Sequence, residues 1–198
     1  MSKQSASQLV TPTGLGNRFL PTVDRFADRP ALSVEGEPLT YAALAAQAQS
    51  LAATFDNHAD DSHTSHLTAV FAHRSVAAYA GVLGALFQGN GYVPLNRHFP
   101  PDRTRQMLQR SGCTQVLVDH LSSEQLPEIV AGLEPLVIIA PDPETDTRAL
   151  SDACPGHTVL GAADLATPSA ALASGTPLTS SDAVAYLLFT SGSTGQPK

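Results

Sequence analysis

From residue 67 to residue 140 short apolar runs alternate with helical stretches, and that alternation restricts the fold more than any other feature. Leu67-Thr68-Ala69-Val70-Phe71-Ala72, Tyr92-Val93-Pro94-Leu95, Gln115-Val116-Leu117-Val118-Asp119 and Leu136-Val137-Ile138-Ile139-Ala140 read as strands. Pro94 cannot donate to a ladder, which sends its strand to an edge or an end. Arg74 to Gln88 reads as a helix, apolar nearly all round, with Val76, Tyr79, Leu83 and Leu86/Phe87 on one face. Gly89-Asn90-Gly91 stops it, since glycine accepts the left-handed conformation of a helix end. Pro100-Pro101-Asp102 opens a helix to about Ser111, closed by Gly112, and Ser122 to Val130 forms a weaker one. Strands separated by helical crossovers of about ten residues or more imply right-handed connections. The fold class is therefore α/β, a parallel-rich sheet with helices on both faces. Such sheets take ligands beyond the carboxyl ends of their strands.

The flanks divide the chain into four parts. Residues 1–16 read as a flexible N-terminal arm and 17–140 as an α/β subdomain. Residues 141–182, rich in Pro, Ser, Thr, Asp and Ala, read as a long connecting segment with one apolar trio at Thr158-Val159-Leu160. Residues 183–198 read as a strand and loop at the start of a second sheet. Inside the subdomain, Asn17 to Ala27 can form a helix presenting Phe19, Val23 and Phe26. Ala31–Val34 and Pro38–Thr40 flank Glu35-Gly36-Glu37 as a small hairpin. Thr40 then caps a helix from Tyr41 to about Phe55, whose stripe is Leu44, Ala48, Leu51 and Phe55.

Composition narrows the function classes. The chain has 198 residues, 42% apolar and 15% charged, which is a globular balance. Its net charge of −7 argues against nucleic acid or an anionic membrane as the main partner. A phosphate site is still allowed, because it needs only a few local donors. The opening residues carry no signal-peptide core, and the longest apolar run, Val76 to Phe87, is too short to span a bilayer. The expected location is cytoplasmic. Cys113 and Cys154 have no Cys-x-x-Cys partner and read as reduced, buried thiols. His58, His63 and His66 cluster within nine positions, but their spacing is irregular and no carboxylate or thiolate completes a ligand set. They read as a solvated connection, and no metal site is assigned.

The chemistry concentrates at Thr190-Ser191-Gly192-Ser193-Thr194-Gly195-Gln196-Pro197-Lys198. This stretch follows the apolar run Ala183–Phe189, read as a buried strand. Gly192 and Gly195 permit close backbone approach, and successive N–H groups in such a turn form an anion nest. The hydroxyls of Thr190, Ser191, Ser193 and Thr194 are rotatable donors, and Lys198 adds a compact positive charge. A plain surface loop has the same composition. A Walker A loop is excluded, because Gln196 rather than lysine follows Gly195. The expected ligand is a polyphosphate, held by Thr190, Ser191, Gly192, Ser193, Thr194, Gly195 and Lys198.

The order Phe189-Thr-Ser-Gly-Ser-Thr-Gly-Gln-Pro-Lys198 closely resembles the phosphate loop of the adenylate-forming enzymes, the superfamily of acyl-CoA synthetases, luciferases and peptide-synthetase adenylation domains. A second stretch is similar too: Gly84 to Leu95, followed by Pro100 and Arg103, resembles the helix–turn–strand of adenylation domains. There Asn96 and Arg97 stand where Asp-Pro is common in the family. Arg29–Leu32 and Leu39–Leu44 look like its first strands and first long helix. The resemblance runs from about Asn17 to Lys198 and covers roughly the first third of the family's length. It implies an enzyme that activates a carboxylic acid with ATP and Mg2+, forming acyl-AMP and pyrophosphate, then passes the acyl group to CoA or a carrier protein. Tyr92-Val93-Pro94-Leu95 leans towards amino-acid adenylation domains of peptide synthetases. The family's catalytic lysine, ribose-binding aspartate and most of its acid pocket match nothing here, so no catalytic residue is assigned within the chain. The expectation is an N-terminal piece of a longer or split enzyme, inactive alone. It would pair with the downstream part or self-associate through 183–189. Two other readings stay open at this point: a non-catalytic interaction or regulatory module derived from an adenylation domain, and an unrelated α/β nucleotide binder.

Overall fold

The computed structural model describes residues 14–59, 65–168 and 182–190. The chain opens with a single 3-10 turn, Gly16–Arg18, and helix α1, Leu20–Phe26. Strands β1 (Pro30–Val34) and β2 (Glu37–Thr40) pair antiparallel across a tight turn. Glu35 and Gly36 both take positive φ there, 53° and 92°, the twist that a two-residue hairpin needs. The Thr40 side chain accepts the Ala43 N–H at 3.2 Å and so starts α2, Tyr41–Asn57.

Strand β3 (Leu67–Phe71) leads through α3 (Val76–Gln88) to β4 (Gly91–Leu95), then through α4 (Pro101–Ser111) to β5 (Gln115–Val118). Two short helices, α5 (His120–Ser123) and α6 (Leu126–Val130), precede β6 (Val137–Ala140). Helix α7 (Thr147–Ala153), strand β7 (Thr158–Gly161) and a 3-10 turn at Ala162–Asp164 complete the regular structure. The five strands β3 to β7 form one parallel sheet in the order β4-β3-β5-β6-β7.

Each strand divides its side chains between two apolar layers, as the two-residue period requires. Ala69, Phe71, Val116, Val118, Ile138 and Ala140 face a layer completed by Met107 and Leu108 of α4 and Leu126, Ile129 and Val130 of α6. Val70, Leu117 and Ile139 face the opposite layer, with Leu44, Leu51 and Phe55 of α2 and Ala77, Ala80 and Ala85 of α3. Burial on both faces explains why these strands are continuous apolar runs rather than alternating ones. Helices α2 and α3 approach closely through small residues: a Cβ on Gly84 would meet Leu51 Cβ at 3.0 Å and the Ala48 carbonyl at 3.1 Å. The buried Gln115 side chain donates to the Phe55 carbonyl at 2.6 Å, filling an acceptor at the end of α2.

The structure corrects the sequence reading in four places. Helix α3 begins at Val76, because Arg74 takes φ 53° and the Ser75 hydroxyl caps the helix by accepting the Ala78 N–H at 3.1 Å. The single weak helix at 122–130 is two, since Pro127 lacks an N–H and opens a new helix instead of continuing one. The connecting segment 141–182 contains α7, capped by the Asp146 carboxylate, and β7, which becomes the fifth strand of the sheet. After β7 the chain folds back on α2: the Ser50 hydroxyl donates to the Ala166 carbonyl at 2.7 Å, and Ala166 N–H donates to Thr54 Oγ1 at 2.9 Å.

The fourth correction concerns 183–189, read from sequence as a buried strand. It is half-buried: Ala185, Leu187 and Phe189 turn inward, while Val184, Tyr186 and Leu188 are 61%, 53% and 56% exposed. Leu187 and Phe189 pack against the layer of α4 and α6. The segment runs parallel to β4, with Tyr186 opposite Tyr92. Tyr92 N–H donates to the Ala185 carbonyl at 3.1 Å and Leu187 N–H donates to the Tyr92 carbonyl at 2.9 Å. The next donor in that ladder would be residue 94, which is proline. Pro94 has no N–H to give the Leu187 carbonyl, so the ladder is a single bridge.

Burial raises the Cys113 thiol from about 9 to about 11, against a smaller downward pull from the Ser111 hydroxyl at 3.2 Å. The folded state therefore keeps a proton that the unfolded chain releases near pH 9. This contribution to stability is complete below that pH and is lost as pH rises through 11. Native protein at neutral pH should react with an aromatic disulfide reagent far more slowly than urea-unfolded protein, with comparable rates refuting the buried thiol. Gly84→Val should lower unfolding free energy by about 1–3 kcal/mol in urea titrations, because neither Leu51 nor the Ala48 backbone can yield freely.

Candidate functional site

All five strands point the same way, so their carboxyl ends share one edge. β3 has β4 on one side and β5 on the other, and the chain reverses direction across the sheet there. A crevice at such a switch point is the usual ligand position in this class of fold. A cleft of about 770 Å³ opens at that edge, lined among others by His73, Arg74, Ser75, Asp119, His120 and Asp142.

Asp119 organises the cleft floor. It follows β5 and is 2% exposed. Its Oδ2 accepts the His73 N–H and the Ser75 hydroxyl, both at 2.9 Å, and its Oδ1 accepts the Ser122 N–H at 2.9 Å. One carboxylate thus ties the end of β3 to the starts of α3 and α5. Its two contacts on the β3 side flank Arg74, the residue held at positive φ. A non-glycine residue in that conformation costs roughly 1 kcal/mol, which the clamped neighbours offset. Asp142, after β6, accepts the His120 N–H at 2.8 Å. Burial raises the Asp142 carboxyl above the usual carboxylate range; the His120 N–H pulls it down, and the nearby Asp119 and Glu144 push it up further.

The other side of the edge belongs to β4. Beyond Leu95, Asn96 Oδ1 accepts the His98 N–H at 2.9 Å and the Asn96 carbonyl accepts the Phe99 N–H at 3.0 Å, closing a tight turn around Arg97. The His98 ring meets the His73 ring edge-on at 5.4 Å, joining this turn to the end of β3. The Arg103 guanidinium lies 4.3 Å from the Phe99 ring centroid, and its buried Nε has no hydrogen-bond partner among the described residues.

Of the residues expected to hold phosphate, Thr190 is described: it is exposed and directly follows the segment paired to β4. Ser191, Gly192, Ser193, Thr194, Gly195 and Lys198 lie outside the described residues. Among the described residues no group of three or more metal-ligating side chains occurs, and no helix is long and apolar enough to cross a membrane. His58 and His66 sit on either side of the connection after α2, and His63 is outside the described residues. Sequence reading assigned Asp119 only to the end of a strand. The signal for more was present, since an aspartate leaving an apolar strand, three residues before Ser122, is a ready cap.

Residues 19–198 match the AMP-binding enzyme family. The chain belongs to that family. Its curated relatives are much longer synthases. It is 29% identical over 206 aligned positions to indigoidine synthase of Streptomyces lavendulae, matching 100% of this chain and 14% of that protein. Among solved structures, the FmoA3 nonribosomal peptide synthetase bound to alpha-methyl-L-serine-AMP is 26% identical, with a TM-score of 0.67 over 97% of this chain and 18% of that one. The Vibrio cholerae adenylation domain AlmE, in complex with glycyl-adenosine-5'-phosphate, has a TM-score of 0.78 over 100% of this chain and 36% of that one. At 22% identity that likeness establishes the shared fold. The chain thus spans a small part of each relative's length, and the part it spans is an adenylation-domain N-terminal subdomain in architecture.

The Asp119 clamp is open to direct measurement in this member of the family. Asp119→Ala removes the carboxylate that accepts three hydrogen bonds and takes the acceptor from the His73 N–H, while the Ser122 N–H keeps the residue 119 carbonyl at 3.2 Å. The expected loss is roughly 3 kcal/mol of unfolding free energy by urea titration, and a loss below about 1 kcal/mol would show the clamp to be dispensable.

Proposed function

We propose that this chain supplies the phosphate-binding part of an ATP-dependent enzyme that adenylates a carboxylic acid, an amino acid by preference. The observation that carries the reading is the family match running to Lys198 through the ordered loop sequence. The bridge of Tyr186 to Tyr92 supports it, because that bridge brings the loop's first residue to the carboxyl edge of the sheet. In the proposed reaction a carboxylate oxygen attacks the α-phosphorus of ATP, an O–P bond forms, and the bond to the bridging oxygen of pyrophosphate breaks. Both reactants are anionic, so fixed donors around the leaving pyrophosphate lower the barrier by meeting charge where it develops. Thr190, Ser191, Gly192, Ser193, Thr194, Gly195 and Lys198 are those donors. Mg2+ would share the same phosphates. The acyl group then passes to the thiol of a carrier protein or CoA, with AMP leaving.

The chain on its own does not complete this reaction in our reading, since the relatives it matches are many times longer. The complementary part of the enzyme would cover the outer side of 183–189, where Val184, Tyr186 and Leu188 are exposed next to an open strand edge. By the same reading 14–168 form the subdomain proper, with 183–198 as the strand and loop that lead into the next sheet.

Isotope exchange between ATP and pyrophosphate tests the role of the loop. In a longer protein that contains this chain, Lys198→Ala should cut acid-dependent exchange by roughly a hundredfold, the scale expected for losing one oriented donor to a developing charge. Unchanged exchange would remove the loop from the reaction. The isolated chain should show no exchange and should associate at micromolar concentrations by light scattering. Activity alone, or a monodisperse monomer, would overturn the corresponding half of the proposal.

A further inference from the structure

Oppositely charged side chains line the cleft at the switch point without pairing. Arg74 follows β3 and Asp142 follows β6, and Glu144 lies near Asp142 on the same lining. In the order β4-β3-β5-β6-β7 one strand separates β3 from β6, so their ends stand roughly 10 Å apart. Arg74 makes no ion pair among the described residues, although Glu35, Asp119, Asp142 and Glu144 line the same space.

Backbone holds both anchors in place. Asp119 fixes the His73 N–H and the Ser75 hydroxyl, and the exposed Arg74 between them is kept at φ 53°. Asp142 stands between Pro141 and Pro143, whose rings fix their own backbone angles. Its carbonyl accepts the Thr145 N–H at 3.0 Å, closing a turn, and its Oδ2 accepts the His120 N–H at 2.8 Å. The other carboxylate oxygen has no hydrogen-bond partner among the described residues. Burial raises this carboxyl; the His120 N–H pulls it down, and Asp119 and Glu144 push it up again, so an ammonium placed here meets uncompensated negative charge.

The space between the anchors is about 770 Å³, walled by Leu51 of α2 and by Val76, Ala77 and Ala80 of α3. That size, with apolar walls and a few convergent polar groups, is typical of a small-molecule pocket. A bare metal ion does not fit, because among the described residues no group of three or more ligating side chains occurs. The lining asks instead for an organic molecule with an ammonium at one end, a carboxylate at the other and an apolar body between. A single amino acid holds its two charges too close together to reach both anchors. An extended dipeptide spans about 7 Å, which leaves room for a hydrogen bond at either end.

We infer that this cleft binds a dipeptide-sized zwitterion, with the Asp142 and Glu144 carboxylates taking its ammonium and the Arg74 guanidinium taking its carboxylate. Every residue involved lies within the described structure, and the site needs no part of the adenylation reading.

Titration calorimetry of the 198-residue chain with leucyl-leucine, free at both ends, provides the test. Binding is expected at millimolar concentration or below. Acetylating the amine or amidating the carboxyl should each weaken it roughly tenfold, the scale of one charge-assisted hydrogen bond. Asp142→Asn, which keeps an oxygen for the His120 N–H, should weaken the free dipeptide by a similar factor and leave the acetylated one unchanged. Arg74→Gly should do the same for the carboxylate end, and it folds without strain because glycine accepts positive φ. Arg148→Gln and Asp152→Asn, both exposed on α7, should bind like the wild type. No binding by the wild type, or equal binding of the free and capped dipeptides, overturns the site. Wild-type affinity in Asp142→Asn or in Arg74→Gly overturns it too, since the cleft then takes at most a plain ion. An equal loss in the α7 variants reduces the effect to bulk charge and is equally fatal. Should Asp142→Asn unfold by circular dichroism, Glu144→Gln decides in its place: full affinity for the free dipeptide refutes the ammonium end.

Discussion

A parallel sheet has to be covered on both faces, and the rest of this structure follows from that requirement. Its strands cannot be joined by tight turns, so each connection crosses a face as a helix and buries an apolar stripe. Val70, Leu117 and Ile139 pack under α2 and α3, while Phe71, Val118 and Ile138 pack under α4 and α6. Burial of this kind contributes about 25 cal/mol per Å² of apolar surface removed from water, which makes the two layers the main source of stability. The geometric by-product is functional. Every carboxyl end emerges on one edge, and irregular, polar backbone accumulates there without disturbing the core.

That edge is stitched rather than loose. Asp119 holds the starts of α3 and α5 together with the end of β3, and it does so with a carboxylate whose charge is met by three donors. Buried charge is tolerated on those terms and no others. The strained φ of Arg74 persists inside this clamp because both of its neighbours are fixed. On the β4 side the holding is lighter. One bridge and two inward side chains, Leu187 and Phe189, secure the closing segment, and Pro94 prevents the ladder from lengthening. A loop leaving such a segment starts from a defined position at Thr190.

The strands of the core and most helix ends were legible in the sequence because each carries a strong local signal. Thr40, Gly89 and Gly112 cap or stop their helices as their chemistry predicts, with Gly89 and Gly112 at φ 101° and 66°. What was hidden depends on partners distant in sequence. β7 is four residues at a sheet edge, and α7 buries only Leu150, so neither shows enough apolar periodicity against a polar background. The 183–189 run looked buried because all its residues are apolar, yet its outer side chains face away from the single strand it pairs with. The Asp119 clamp spans 44 and 46 positions, a range at which no sequence pattern carries information. The loop was the opposite case, plain in sequence from the order of its residues, while its residues 191–198 fall outside the described structure.

Electrostatics sets the remaining condition on this edge. The chain is anionic overall, and a polyphosphate approaching it meets a repulsive field at long range. At physiological ionic strength that field decays over about 8 Å, so the groups within one screening length decide whether the ligand stays. On the cleft side those groups are mixed in sign: Arg74 lies beside Glu35, Asp119, Asp142 and Glu144. Burial and neighbouring carboxylates raise the Asp142 carboxyl above the usual carboxylate range, against the downward pull of the His120 N–H that it accepts. On the β4 side the described side chains nearest Thr190 in register are Asn96, Arg97 and His98, none of them acidic. The cleft, with the buried Asp119 carboxylate, the half-buried Asp142 and apolar walls from α2 and α3, suits a neutral or cationic group better than an anion.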